Sequence, residues 1–179
     1  NKPYYWYVVV NDGKTHNMIC IWYFKTVSDN MAPKILDINI NPSIQYKGKY
    51  VNISCNVTDN AGIKETWINI TYPDGSMQKI SNRYINQTYS MVGTYYFFIC
   101  AIDINGNVNV SSTYSFKIIK EPFCNLSVNI NQGCAPLTVT FYINIDGEIS
   151  IWKLDINNDG IAEYVGNLSG NFSITCTYN

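Results

Sequence analysis

Tyr50–Val57, YVNISCNV, and Thr94–Ala101, TYYFFICA, decide the fold. In the first, Val51, Ile53, Cys55 and Val57 alternate with polar residues. In the second, Tyr95, Phe97, Ile99 and Ala101 stand two apart. Each run leads into an Asp/Asn/Gly turn, Asp59-Asn60-Ala61-Gly62 and Asp103-Ile104-Asn105-Gly106. Period-two apolar patterning that ends in such turns predicts a small antiparallel sandwich.

The bulk numbers agree. Of 179 residues, 46% are apolar, 15% aromatic and 14% charged, with a net charge of -1. The aromatic and β-branched content predicts a folded, strand-rich chain. The charge balance offers no basic field, so nucleic acid and anionic lipid are not expected partners. No apolar run is long enough to cross a bilayer as a helix. The chain opens on Asn1 within a strand pattern, which predicts a processed chain or an excised piece. Six cysteines without CxxC spacing leave two readings open: up to three disulfides in an oxidising place, or buried thiols in a reducing one.

Three modules are expected. Residues 1–32 read as the last strands of a partial module. Tyr4, Trp6, Val8 and Val10 alternate, Asn11-Asp12-Gly13 turns the chain, and Cys20, Trp22 and Phe24 alternate again. One hairpin cannot build a core, so these strands need partners from an upstream segment, the next module or another subunit. After the linker Ser28–Pro33, residues 33–120 read as a complete module of about seven strands. Leu36, Ile38 and Ile40 share one face. Thr66, Ile68 and Ile70 face inward and Trp67 outward. Pro73-Asp74-Gly75 is a hairpin turn, and Ser76–Ser90 is a less regular stretch that crosses back. Residues 121–179 read as a third, truncated module, with apolar alternation at Leu126, Val128 and Ile130 and again at Leu137, Val139 and Phe141.

Chemistry-bearing patterns are few. Asp155-x-Asn157-x-Asp159-Gly160, with Glu163 beyond, places oxygen ligands at alternate positions around a glycine, as hard cations require. Position 12 of that pattern is Gly166, so the bidentate ligand is missing. A calcium loop and a plain polar hairpin turn both remain open. Asp59 and Asp103 read as turn caps. Acceptor motifs for N-glycosylation occur at Asn52, Asn56, Asn69, Asn86, Asn109, Asn125, Asn167 and Asn171. Several fall on the outward parity of strands, which predicts a glycosylated, secreted chain. Trp67, Tyr72, Trp152 and Tyr164 are candidates for stacking against a sugar, with core or edge packing as the alternative. The single histidine, His16, sits in a turn region without partner residues. No catalytic motif is present, and the cysteines lack zinc spacing.

Residues 34–119, through VNISCNVTDNAGI, the YPDG hairpin and GTYYFFICAIDINGN, resemble the immunoglobulin-like modules of archaeal and bacterial cell-surface proteins. Residues 122–179, through GCAPLTVTF and ISIWKLDINNDG, resemble a PKD domain. YYWYVVVNDG to WYFKT in residues 4–27 is similar to the last two strands of a fibronectin type III-like module. The resemblance implies an all-β chain of tandem immunoglobulin-like β-sandwiches that spaces, stiffens or presents other domains. It suggests pairing Cys55 with Cys100, provided Tyr96, Phe98 and Cys100 face inward. If Tyr95, Phe97 and Ile99 face inward instead, Cys100 is free. Cys134 would pair with Cys176 or Cys124, leaving Cys20 for a partner outside its module. The expected role is a non-enzymatic structural or adhesive segment of an extracellular or cell-surface protein. The alternatives are a carbohydrate- or protein-binding accessory module of a secreted hydrolase, and a subunit of an extracellular filament or surface layer. Expected partners are neighbouring modules, like subunits through strand addition, and glycans; no cofactor is expected beyond calcium.

Overall fold

The computed structural model describes residues 2–14 and 16–179, with the side chains of residues 16–21 outside the description. It is all-β. In chain order the strands are β1 (Pro3–Asn11), β2 (His16–Lys25), β3 (Lys34–Asn41), β4 (Ile44–Tyr46), β5 (Tyr50–Thr58), β6 (Ile63–Thr71), β7 (Met77–Ile80) and β8 (Tyr84–Thr88). They continue with β9 (Gly93–Asp103), β10 (Val108–Val110), β11 (Tyr114–Ile119), β12 (Phe123–Val128), β13 (Leu137–Asp146), β14 (Trp152–Leu154), β15 (Tyr164–Gly166) and β16 (Gly170–Tyr178). No helix among the described residues is long and apolar enough to cross a membrane.

Strands β3 to β11 form the sandwich. One sheet has the order β3-β5-β8 and the other β4-β11-β9-β6-β7, with β10 also paired to β9. Only β4 and β11 are parallel, with Ile44 opposite Lys117 and Tyr46 opposite Ile119. Between the sheets lie Val51 and Ile53 of β5, Ile68 and Ile70 of β6, Ile85 of β8, Tyr95, Phe97 and Ile99 of β9, and Phe116 and Ile118 of β11. These side chains are withdrawn from water almost completely, and that burial drives the folding of the module. At one end four rings interlock. Tyr89 and Tyr95 both lie 4.8 Å from Phe116, and Tyr72 lies 5.1 Å from Tyr95. The Tyr95 hydroxyl donates to the Met91 carbonyl at 3.0 Å. This is the tyrosine corner of immunoglobulin-like sandwiches, placed at the start of β9.

The strand pattern settles the parity of β9 in favour of the Tyr95, Phe97 and Ile99 face. Phe97, two residues after the corner tyrosine, takes the inward place that a disulfide would occupy. Cys100 lies on the outer face of the large sheet opposite Trp67, while Cys55 packs on the sandwich core from the other sheet. The pairing of Cys55 with Cys100 is therefore corrected: the two thiols point away from one another, and both are free.

Two readings of local structure also change. The less regular stretch Ser76–Ser90 contains two strands, β7 and β8, so the module has nine strands. Both strands are short, and their exposed positions mask the alternation around Ile80 and Ile85. Leu36 does not share a face with Ile38 and Ile40. A β-bulge interrupts the β3–β5 register between Leu36 and Asn39, and Asp37 takes a left-handed φ of 52°. The extra residue inverts the side-chain parity, so Ile35, Ile38 and Ile40 pack inward while Leu36 is exposed.

The remaining strands form smaller sheets. β12, β13 and β16 make one in that order, and β14 and β15 pair as a hairpin. The hairpin contacts the inner face of the sheet: the Trp152 ring lies 5.3 Å from Phe172, and the Tyr178 hydroxyl donates to the Ile156 carbonyl at 3.0 Å. Val139, Ile143 and Ile145 are the buried centre. β1 and β2 form a two-stranded ribbon with Tyr4 on Phe24, Tyr5 near Tyr23 and Trp6 on Trp22 across the strands. Every side chain of β1 is exposed, as are Trp22, Tyr23 and Phe24.

Candidate functional site

The loop of the β14–β15 hairpin gathers the oxygen-bearing residues expected from the sequence. One carboxylate oxygen from each of Asp155, Asp159 and Glu163 lies within 4.8 Å of the others. Asp155 organises the loop. Its Oδ1 accepts from the Asn158 and Asn157 N–H groups at 2.6 and 3.2 Å, and its Oδ2 accepts from Gly160 N–H at 2.9 Å. Desolvation pulls the Asp155 carboxyl upward, but these backbone donors outweigh it and hold it below its ordinary value. Asn157 donates its amide to Asp159 at 3.1 Å, and Glu163 accepts from Ile156 N–H at 2.8 Å. Asn158 and Gly160 supply the left-handed turns at φ 59° and 88°. The loop is thus a polar hairpin turn that carries four potential cation ligands. Position 12 carries no ligand for a steric reason. Gly166 lies in β15 under the Trp152 ring, which any Cβ added there would overlap.

A second carboxylate group was missed by the sequence reading. Asp29 of the linker, Asp59 after β5 and Asp103 at the end of β9 bring one oxygen each within 4.8 Å of one another. Two of the three come from turns that lie at the same end of an immunoglobulin-like sandwich, and this topology was the available signal. The expected turn caps are present: Asp59 Oδ1 accepts from Ala61 and Gly62 N–H groups at 2.8 and 3.0 Å, and Asp103 Oδ1 accepts from Asn105 and Asn107 N–H groups at 2.9 and 2.8 Å. Asp29 joins them through the amides of Asn60 and Asn105 at 3.0 and 3.3 Å. Its carboxyl is held below the ordinary value, first by the Asn60 amide and then by the Met31 N–H. A cavity of about 230 Å³ beside the cluster is lined by Met31, Ala32, Lys34, Thr58, Asp59 and Asn60.

The four aromatic candidates do not converge. Tyr72 takes the core-packing alternative: it packs against the ring cluster of the core, and its hydroxyl donates to Gln78 at 2.7 Å. Trp152 covers Phe172 and donates its indole N–H to the Leu168 carbonyl at 3.2 Å. Tyr164 meets the Cys176 sulfur at 3.6 Å. Trp67 alone stands on an outer sheet face, with the Lys79 ammonium 4.0 Å from its ring centre.

Five of the eight glycan-acceptor asparagines fall into two rows. Asn52 is directly opposite both Asn41 and Asn86, and exposed Asn56 follows on the same outer face of β5. Asn125 and Asn171 flank Asn144 across β12, β13 and β16. Asn167 is exposed in the loop before β16. Asn69 lies beside Cys100 on the outer face of the large sheet. The Asn109 amide instead donates to the Pro33 carbonyl at 2.7 Å.

Cys124 and Cys134 are exposed free thiols, and Cys176 is a partly buried one, so neither expected pairing in residues 121–179 is present. The side chains of Cys20 and His16 lie outside the described residues.

No protein-family model matches the chain, and no curated protein matches it. Among solved structures, one from work on the promiscuous specificity of carbohydrate-binding modules of the β-sandwich superfamily is similar at a TM-score of 0.41 and 13% identity, covering 84% of this chain and 80% of that one. A fibronectin(III)-like module structure of Clostridium thermocellum CbhA is similar at a TM-score of 0.39 and 12% identity, covering 80% of each. At that distance nothing of either neighbour's binding is carried over to this chain.

Proposed function

We propose that the chain is a non-enzymatic structural or adhesive segment of a secreted or cell-surface modular protein, of the kind in which immunoglobulin-like and PKD-like modules follow one another. The observation that carries this reading is the outer face of β3-β5-β8. Asn52, Asn56 and Asn86, each the head of a glycan-acceptor motif, stand together there. Glycans on that face would keep it in water and block pairing at the sheet edge. Asn52 and Asn86 are direct cross-strand neighbours, too close for two unhindered glycans. Material purified from its native source should therefore exceed 20.4 kDa in intact mass, and peptide mapping should place sugar at Asn56 and at one of Asn52 and Asn86. An unmodified mass would refute the reading.

In the same proposal Asp155, Asn157, Asp159 and Glu163 hold one calcium ion, which stiffens the β14–β15 hairpin. Calorimetric titration of the chain with calcium tests this, and Asp155→Asn should abolish the loop's share of the heat. A second role, assembly with like subunits, is favoured by the ribbon β1–β2. Its stacked rings are exposed, and a two-stranded ribbon is not stable alone in water. Negative-stain microscopy of native material separates filaments from a tethered stalk.

A further inference from the structure

We infer that Asp29, Asp59 and Asp103 form a second divalent-cation site, of the calcium class, that clamps the linker entering β3 onto the tip of the sandwich. The inference does not depend on the glycosylation reading or on the hairpin loop.

The observation that goes beyond an acidic cluster is Asp59 Oδ2. This oxygen is shut off from solvent and has no hydrogen-bond donor. A buried, unpartnered carboxylate oxygen calls for a positive charge or a proton. Asp103, which also brings a carboxylate oxygen to the cluster, is completely buried. The ion pairs among the described residues are Lys79 with Glu65, Lys117 with Glu148 and Lys120 with Asp146, so none serves this trio. Lys34 lines the adjacent cavity without forming an ion pair with Asp59. The donors that do reach the carboxylates are neutral: backbone N–H groups and the amides of Asn60, Asn105 and Asn107. Three like charges are thus held at close range by dipoles alone, an arrangement that a divalent cation resolves.

The surrounding atoms suit calcium. Calcium takes six to eight oxygens in flexible geometry, whereas magnesium demands a near-ideal octahedron. Three carboxylates come from three separate segments, and the Asn60, Asn105 and Asn107 amides that now offer Nδ2 can rotate to offer Oδ1. Asn107 also donates to the Asp29 backbone carbonyl at 3.1 Å, so the linker is already seated at the site. A cation there would fix the direction in which the chain leaves the sandwich tip toward β2.

The test uses the chelator-treated 179-residue chain carrying Asp155→Asn and Asp159→Asn, which silence the hairpin loop. Calcium should still bind, with a Kd of about 0.1–1 mM as for extracellular modules, and should slow proteolysis within residues 26–33. Adding Asp29→Asn should weaken that binding at least tenfold and remove the protection. Asp59→Asn has its own signature. Without calcium it should raise the unfolding midpoint, because an unpaired buried charge is removed while the Oδ1 caps stay. With calcium it should lower the midpoint relative to the parent. The inference is overturned if the loop-silenced chain, folded by circular dichroism, takes up no calcium at millimolar concentration. It is also overturned if Asp59→Asn destabilises equally with and without calcium, since Asp59 is then only a turn cap.

Discussion

Replacing Phe97 and Phe98 one at a time with alanine should give unequal losses, although the two are adjacent and chemically identical. Phe97 is 1% exposed, with its ring 5.6 Å from Tyr114 and 6.4 Å from Phe116. Truncating a ring in so closed a site removes its transfer free energy and leaves a cavity that β-sheet backbones cannot collapse to fill. The cost is about 3–5 kcal/mol. Phe98 lies on the outer face opposite Asn69 and is partly exposed. Only part of its area returns to water and no closed cavity forms, so its loss is about 1–1.5 kcal/mol. The difference, about 1.5–4 kcal/mol, is roughly a tenfold or larger change in the folded-to-unfolded ratio. At a urea slope of about 1–2 kcal/mol per molar it separates the two midpoints by about 0.7 M or more. Urea unfolding, read by hydrogen–deuterium exchange of the β9 peptide, reports on this module alone. Equal losses, or a larger loss for Phe98→Ala, would refute the assigned parity and with it the placement of Cys100.

Three further outcomes are expected. Tyr89→Phe should leave stability unchanged or raise it by up to about 1 kcal/mol, because the Tyr89 hydroxyl is buried without a hydrogen bond. Burial also raises that hydroxyl above its ordinary 10, so the unfolded chain ionises first and stability falls as pH climbs past 10; the variant should lose less there in an alkaline denaturation series. Gly93→Ala should cost at least about 2 kcal/mol in thermal unfolding, since φ is 141° and the new Cβ would stand 2.8 Å from Pro73 Cβ. In Ellman labelling, Cys124 and Cys134 should react first and Cys100 last, because burial shields its thiol and raises its pKa.

The legible part of the fold was the part with regular period. β5, β6 and β9 follow strict alternation, so Val51, Ile53, Ile68 and Ile70 were placed inward from sequence. The bulge at Asp37 was invisible, because one added residue leaves the composition intact and inverts the faces. β7 and β8 were missed because short peripheral strands bury too little to show a pattern. For Cys100, the pattern alone pointed outward, but analogy with a familiar disulfide pulled the other way; the tyrosine two residues before Phe97 was the better marker. The hairpin loop was readable because its ligands are contiguous. Asp29, Asp59 and Asp103 are dispersed over three segments, and only the shared end of the sandwich unites them.

The parallel pairing of β4 with β11 has a mechanical meaning. The chain enters the module just before β3 and leaves it just after β11. Tension applied through the two ends therefore draws β4 and β11 in opposite directions along their common axis. Bonds such as Lys117 N–H to the Ser43 carbonyl and Lys47 N–H to the Ile119 carbonyl, both 2.9 Å, lie across the line of pull. They must fail together in shear and cannot be unzipped one by one. A ladder only three residues long is thus the clasp of the sandwich against stretching.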